Sequence, residues 1–129
     1  MEVNQNRFSE LPHKTVATRG GLGWIGKNCL LVTPQYGSAI RISSLLTNAP
    51  LRCDEPVNQS HCGTCRQCVE KCPAQALKDI LWTVGMQREK IVDIEKCYKK
   101  QIEIMSRNTG IETDLCGNVL RSVHIPKDT

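Results

Sequence analysis

Cys62-Gly63-Thr64-Cys65-Arg66-Gln67-Cys68-Val69-Glu70-Lys71-Cys72-Pro73 spaces four thiols as C-x2-C-x2-C-x3-C-P, the run that holds a [4Fe–4S] cluster. The spacing has a geometric cause. Three cysteines set two residues apart curl around one cubane, with their backbone amides turned to its sulfurs. The proline ends the loop and points Cys72 away, toward a second cluster. A zinc knuckle uses two separated C-x2-C pairs and suits three tight cysteines poorly. By this crossover, a first cluster takes Cys62, Cys65, Cys68 and one late cysteine, and a second takes Cys72 with three downstream thiols. Only Cys97 and Cys116 lie downstream, so each site comes out one ligand short. The expected metal ligands are therefore Cys62, Cys65, Cys68, Cys72, Cys97 and Cys116. His124, a lone histidine in a polar tail, reads as solvent-exposed before it reads as a missing ligand. Cys29 sits in an apolar stretch and reads as a buried structural thiol, and Cys53 as a linker residue that could serve as a spare ligand.

Outward from that run, the composition agrees with a metal-dependent fold. The chain has 129 residues and eight cysteines, with two Trp, two Tyr and one Phe. That length suits one small domain, and the aromatic groups that dominate core energetics are scarce. Small chains of this kind gain stability from metal or disulfides. No apolar run reaches the roughly 18 residues a membrane span needs. The start, Met1-Glu2-Val3-Asn4-Gln5-Asn6-Arg7, lacks the build of a secretory signal. A cytoplasmic location follows, where thiols stay reduced and serve as metal ligands before disulfides. The formal charge is +4, but a thiolate-held cluster carries about −2, and two clusters bring the total to about zero. Lys14, Arg19, Lys27, Arg41 and Arg52 accordingly read as solvated charges before a nucleic-acid face.

The chain divides by texture at residue 51. Within residues 1–51, the first 12 or so are polar, and His13 to Leu51 alternates glycine turns with short apolar runs. Asn28-Cys29-Leu30-Leu31-Val32 and Ala39-Ile40-Arg41-Ile42 read as two strands of a hairpin about the turn Thr33-Pro34-Gln35-Tyr36-Gly37. Residues 52–129 begin with a linker and carry the cysteines. Asp93 is placed to cap a helix whose apolar face runs through Ile94, Tyr98, Gln101, Ile102 and Met105, and Asn108-Thr109-Gly110 stops it. The fold class expected is α+β: a partial N-terminal α/β layer with a β-hairpin, then a helical, ferredoxin-like double-cluster domain. Gly21-Leu22-Gly23-Trp24-Ile25-Gly26 matches G-x-G-x-x-G, but an apolar strand follows it where a dinucleotide site needs a helix, and no acidic residue stands about 20 positions on. The same stretch through Lys27 fits most of a P-loop, with Asn28 in place of the magnesium-binding hydroxyl. A glycine-rich turn that lets backbone approach a bulky cofactor stays open.

His13-Lys14-Thr15-Val16-Ala17-Thr18-Arg19-Gly20-Gly21-Leu22-Gly23-Trp24-Ile25-Gly26-Lys27-Asn28, then Tyr36-Gly37-Ser38, then the cysteine run, resemble the epoxyqueuosine reductase family over about residues 13 to 116. Those proteins are cytosolic enzymes with cobalamin and two [4Fe–4S] clusters that complete the queuosine modification of tRNA. The resemblance implies that Gly21, Gly23, Trp24, Gly26 and Lys27 lie near a corrinoid, and that the clusters relay electrons to its cobalt. It implies tRNA as a partner, and a redox partner protein or a separate N-terminal half. Three features depart from the family. A long corrinoid-binding portion precedes its glycine motif, which here begins near residue 20. Its catalytic aspartate falls where this chain has Arg7, so no catalytic residue is assigned. Its second motif, C-x2-C-x3-C-P from Cys116, is replaced by Cys116-Gly117-Asn118-Val119-Leu120-Arg121-Ser122-Val123-His124. One base added after the Gly117 codon is compatible with Gly-Lys-Cys-Phe-Ala-Val-Cys-Pro, with cysteines at positions 119 and 123, so a lost base near codon 118 is expected.

The function expected is an iron–sulfur electron-transfer module resembling the C-terminal part of such a reductase, without the catalytic half. The alternatives are a stand-alone ferredoxin-like carrier, a structural zinc module, or a fragment that binds nothing stably.

Overall fold

The computed structural model describes residues 10–113 and 116–118. Arg7, His124 and the altered tail beyond Asn118 lie outside the described residues. The elements are helix α1 (His13–Arg19), strands β1 (Trp24–Ile25) and β2 (Leu31–Val32), helix α2 (Gln67–Lys71), a 3-10 turn over Arg88–Lys90, and helix α3 (Ile94–Thr109). With one two-stranded antiparallel sheet beside these helices, the arrangement is α+β.

A hairpin forms, but one segment earlier than the apolar pattern suggests. Trp24 pairs with Val32 and Ile25 with Leu31, so the first strand lies inside the glycine motif. Asn28 is a turn builder rather than a strand residue. Its Oδ1 accepts the Leu30 N–H at 3.0 Å and its Nδ2 donates to Ser38 Oγ at 3.0 Å. Cys29 takes a left-handed backbone, φ 62°. The Thr33–Gly37 turn is present, closed by reciprocal backbone hydrogen bonds of 2.8 and 2.9 Å. The pairing ends there, because Ser38 is held by Asn28, and residues 39–42 run on without a ladder.

The close crossing of β1 and β2 requires glycine at 23. A Cβ there would stand 2.0 Å from the Val32 carbonyl oxygen, well inside contact distance. At Gly21, with φ 78°, a Cβ would stand 2.6 Å from the Glu55 carbonyl oxygen. The apolar strand within the motif, and the absence of a following helix, match the case against a dinucleotide site.

The core joins Ala17 of α1, Ile25 and Leu31 of the hairpin, and Trp82 and Ile91 from the loops before α3. Trp24, Cys29, Ile40, Ile42 and Met86 pack against them. Residues 57–60 are stitched to α1 and to the Trp82 segment. Val57 N–H donates to the Thr18 carbonyl at 2.9 Å, Ser60 N–H to that of Trp82 at 2.8 Å, and Val84 N–H to that of Asn58 at 2.8 Å. Isolated bridges Gln59–Thr83 and Leu77–Val92 tie the base of the cysteine loop on both sides.

Helix α3 begins and ends where its capping residues dictate. Asp93 accepts the Lys96 N–H, and Gly110 closes the helix at φ 73° with its N–H on the Ser106 carbonyl. The half-buried residues of α3 are Ile94, Cys97, Lys100, Gln101, Ile102, Ile104 and Met105. Tyr98, expected among them, is 40% exposed. Ile94, Gln101, Ile102 and Met105 hold the expected face, and Cys97 takes the inward place beside them.

Candidate metal centre

The loop from His61 to α2 gathers three thiols. Gly63 turns it with φ 55°, and an added Cβ would meet nothing within 4 Å, so the turn needs the backbone freedom rather than the space. Cys65 N–H closes on the Cys62 carbonyl at 3.0 Å, and Cys62 N–H donates to Ser60 Oγ at 3.2 Å. Val69, buried, anchors α2 beneath the loop. Burial pushes the Cys68 thiol up to about 11, and the neighbouring Cys62 and Cys65 sulfurs add to that. The N–H groups of Val69 and of Cys68 itself act the other way. Cys62, Cys65 and Cys68 thus share one electrostatic neighbourhood with backbone donors turned to sulfur. A thiol this reluctant to ionise by itself becomes a thiolate when a metal cation supplies the opposing charge.

Cys72 leaves this group. It ends α2 with an extended backbone, φ −68° and ψ 114°. Its carbonyl is taken by Gln75, through the backbone N–H at 3.1 Å and the side-chain Nε2 at 2.8 Å. Cys72, Cys97 and Cys116 line a cavity of about 450 Å³ with Pro73, Gln101 and Lys14. Burial pushes the Cys97 thiol up. A hydrogen bond from Gln101 opposes this, and the sulfurs of Cys72, Cys116 and Cys29 reinforce it. The Gln101 Nε2 donates to Cys97 Sγ at 2.9 Å. The six cysteines picked out by spacing are thus brought together as two groups of three. Among the described residues, no three His, Cys, Asp or Glu side chains close on one point as ligands of a single ion. The all-thiol donor set, with N–H groups directed at sulfur, fits iron–sulfur chemistry. Cys29, half-buried, packs against the core, while Cys53 is exposed in the irregular segment.

The glycine motif meets the cysteine loop at two places. Trp24 stacks on His61, the residue before Cys62, with ring centroids 4.8 Å apart and planes 17° from parallel. Lys27, 5% exposed, sets its Nζ 2.7 Å from Asp79 Oδ1, and Arg66 of the cysteine loop sets Nε 2.9 Å from Asp79 Oδ2. The Lys27 hydrogen bond, opposed by desolvation and helped by the charges of Lys27 and Arg66, holds the Asp79 carboxyl below its ordinary range. Gly21, Gly23 and Gly26 face protein atoms at their missing Cβ positions, Trp24 faces His61, and Lys27 faces Asp79. All five residues tied to a corrinoid by resemblance are therefore engaged within this chain.

His61, Asp79 and Gln101 are absent from the expected set. Gln101 had a detectable signal, since it follows Cys97 by four residues on a helix and so shares its face. Asp79 had none, because its partners Lys27 and Arg66 are remote in sequence.

The family described as "4Fe-4S binding domain" matches residues 55–78. The epoxyqueuosine reductase of Bacillus anthracis is 41% identical over 68 residues, which is 53% of this chain and 18% of that protein. That of Synechocystis is 40% identical over 87 residues, 67% of this chain and 27% of that protein. Among solved structures, the epoxyqueuosine reductase of Bacillus subtilis superposes with a TM-score of 0.62 at 26% identity, covering 94% of this chain and 32% of that one. An epoxyqueuosine reductase in complex with an epoxyqueuosine-modified tRNA-Tyr stem loop gives 0.62 at 27% identity, covering 93% of this chain and 31% of that one. The chain spans less than a third of the length of these relatives.

Proposed function

Because the chain belongs to the epoxyqueuosine reductase-like family over the part it spans, we propose that it is the electron-relay portion of a reductase of that kind. The observation that carries this reading is the division of six thiols. Cys62, Cys65 and Cys68 neighbour one another on one loop, while Cys72 turns into a separate cavity with Cys97 and Cys116. That is the arrangement by which a C-x2-C-x2-C-x3-C-P run serves two clusters. In this reading the first three thiols supply three of the four ligands of one [4Fe–4S] cluster, and the second three supply three of the four of another.

A bound [4Fe–4S] cluster takes up and returns one electron. The residues of this chain hold it and set its surroundings. Cys68 is half withdrawn from water, and the Val69 N–H is directed at its sulfur. The Asp79 carboxylate fixes Arg66 of the loop to Lys27 of the hairpin, so the loop is braced while charge changes beside it. Val69 and Cys72, both buried, keep water from the stretch between the two thiol groups.

Delivery of the electron to a corrinoid is the finer proposal. The resemblance of the glycine motif supports it. The solved relative bound to a tRNA stem loop supports tRNA as the substrate class of the whole reductase. No helix among the described residues is long and apolar enough to cross a membrane.

Anaerobic reconstitution with iron and sulfide tests the relay. Broad visible absorption with an EPR signal on reduction supports it. A colourless, zinc-containing fold would replace it with a structural module. Added cobalamin tests the finer step: a shift in its spectrum supports a corrinoid contact, and an unchanged spectrum leaves a ferredoxin-like carrier.

A further inference from the structure

Gln101 seats its side-chain amide on a candidate ligand sulfur, Nε2 to Cys97 Sγ at 2.9 Å. Both residues belong to α3 and both line the cavity of Cys72 and Cys116. The contact follows from helix geometry, because residues four apart lie one above the other on the same face. Both are half-buried, so water competes weakly for the donor. Leu30, Leu31, Ile40 and Ile42 give the same cavity an apolar portion of its wall.

We propose that Gln101 is a positioning residue that sets the reduction potential of the cluster held by Cys72, Cys97 and Cys116. This inference rests on the cluster reading above. Reduction adds one electron, and so one negative charge, to a thiolate-held cluster without making or breaking a ligand bond. A donor already directed at one ligand sulfur stabilises that added charge more than it stabilises the oxidised form, and hydrogen bonds to sulfur are among the factors that tune such potentials. The same amide orients the Cys97 side chain into the cavity and holds its rotamer. Lys14 and Lys100, which also line the cavity, supply positive charge of the same sense but are otherwise engaged. Lys14 Nζ donates to the Cys29 carbonyl at 2.7 Å, and Lys100 Nζ pairs with Glu103 at 3.0 Å.

The test compares reconstituted wild-type protein with Gln101→Met, of similar length and no donor, and Gln101→Lys, which keeps a donor. Each is titrated anaerobically with dithionite as the electron source, with EPR and iron and sulfide content as readouts. The expected result is equal iron and sulfide in all three. One midpoint moves to more negative potential in Gln101→Met and recovers to the wild-type value or above in Gln101→Lys. Equal loading with unchanged midpoints would overturn the proposal while leaving the cluster reading intact. Loss of iron from both variants would also overturn it, since Gln101 would then be needed for assembly rather than tuning. Wild-type protein that takes up no iron would instead remove the cluster reading itself.

Discussion

Lys27 Nζ lies 2.7 Å from Asp79 Oδ1, and the second oxygen of the same carboxylate lies 2.9 Å from Arg66 Nε. One acidic side chain thereby ties the glycine motif of the hairpin to the middle of the cysteine loop. The three residues differ in exposure, with side chains 6% exposed for Lys27, 34% for Asp79 and 55% for Arg66. The Lys27 end carries the greater consequence, because a buried ammonium cannot fall back on water.

Removing the carboxylate therefore destabilises the hairpin more than the exposed surface of Asp79 suggests. Asp79→Asn is expected to lower the thermal midpoint, and the double variant Asp79→Asn with Lys27→Met to recover most of the loss by removing the stranded charge. Calorimetry on the four proteins of this cycle checks it. Failure of Lys27→Met to compensate would show that the two side chains are not coupled.

The same pair gives a pH dependence. The Asp79 carboxyl is held below its ordinary value, so its contribution is full above the unfolded carboxylate value of about 3.9. It is lost as pH falls further, through the lowered folded value. The difference in stability between wild type and Asp79→Asn should stay constant from neutral pH down to about pH 5 and shrink below about pH 4. Denaturant unfolding at a series of pH values reads it directly.

Gly23 and Gly63 differ in what an added methyl meets. At Gly23 a Cβ would stand 2.0 Å from backbone of the facing strand, whereas at Gly63 nothing lies within 4 Å. Gly23→Ala should cost about 3 kcal/mol or more, as overpacking against rigid backbone does. Gly63→Ala should cost only about 1 kcal/mol, from its left-handed φ. Denaturation midpoints of the two variants give the comparison.

The ends of α3 make a smaller, separable prediction. Asp93→Ala removes the bond to the Lys96 N–H and should cost about 1 kcal/mol, and Gly110→Ala a similar amount from its left-handed φ of 73°. Neither residue lines the thiol cavity, so iron uptake should stay at the wild-type level in both.

The features legible in the sequence are those whose cause is local. The cysteine run declares its geometry through spacing alone, and α3 declares its limits through Asp93 and Gly110. The hairpin was displaced because Asn28, with high apolar content after it, looks like the start of a strand. Its side chain in fact makes the turn by bonding Leu30 and Ser38. On α3 only Tyr98 departs from the expected face, because periodicity by itself does not separate it from the neighbouring Cys97. Asp79 joins residues 52 and 13 positions away along the chain, and the Trp24–His61 stack spans 37. Such partners are set by tertiary packing, which no local pattern encodes.

Thiols held for a cluster contribute to folding as well as to electron flow. In Cys65→Ala, iron and sulfide should fall by about half, with one of two EPR signals lost and the thermal midpoint lowered, because metal binding is folding free energy. The most direct measurement of the central claim is the iron and acid-labile sulfide content of anaerobically reconstituted wild-type protein beside Cys65→Ala. Iron and sulfide are expected in near-equal amounts in the wild type, with a clear loss of both in the variant. Wild-type protein that folds normally with neither iron nor sulfide, or a variant that retains both in full, would contradict it.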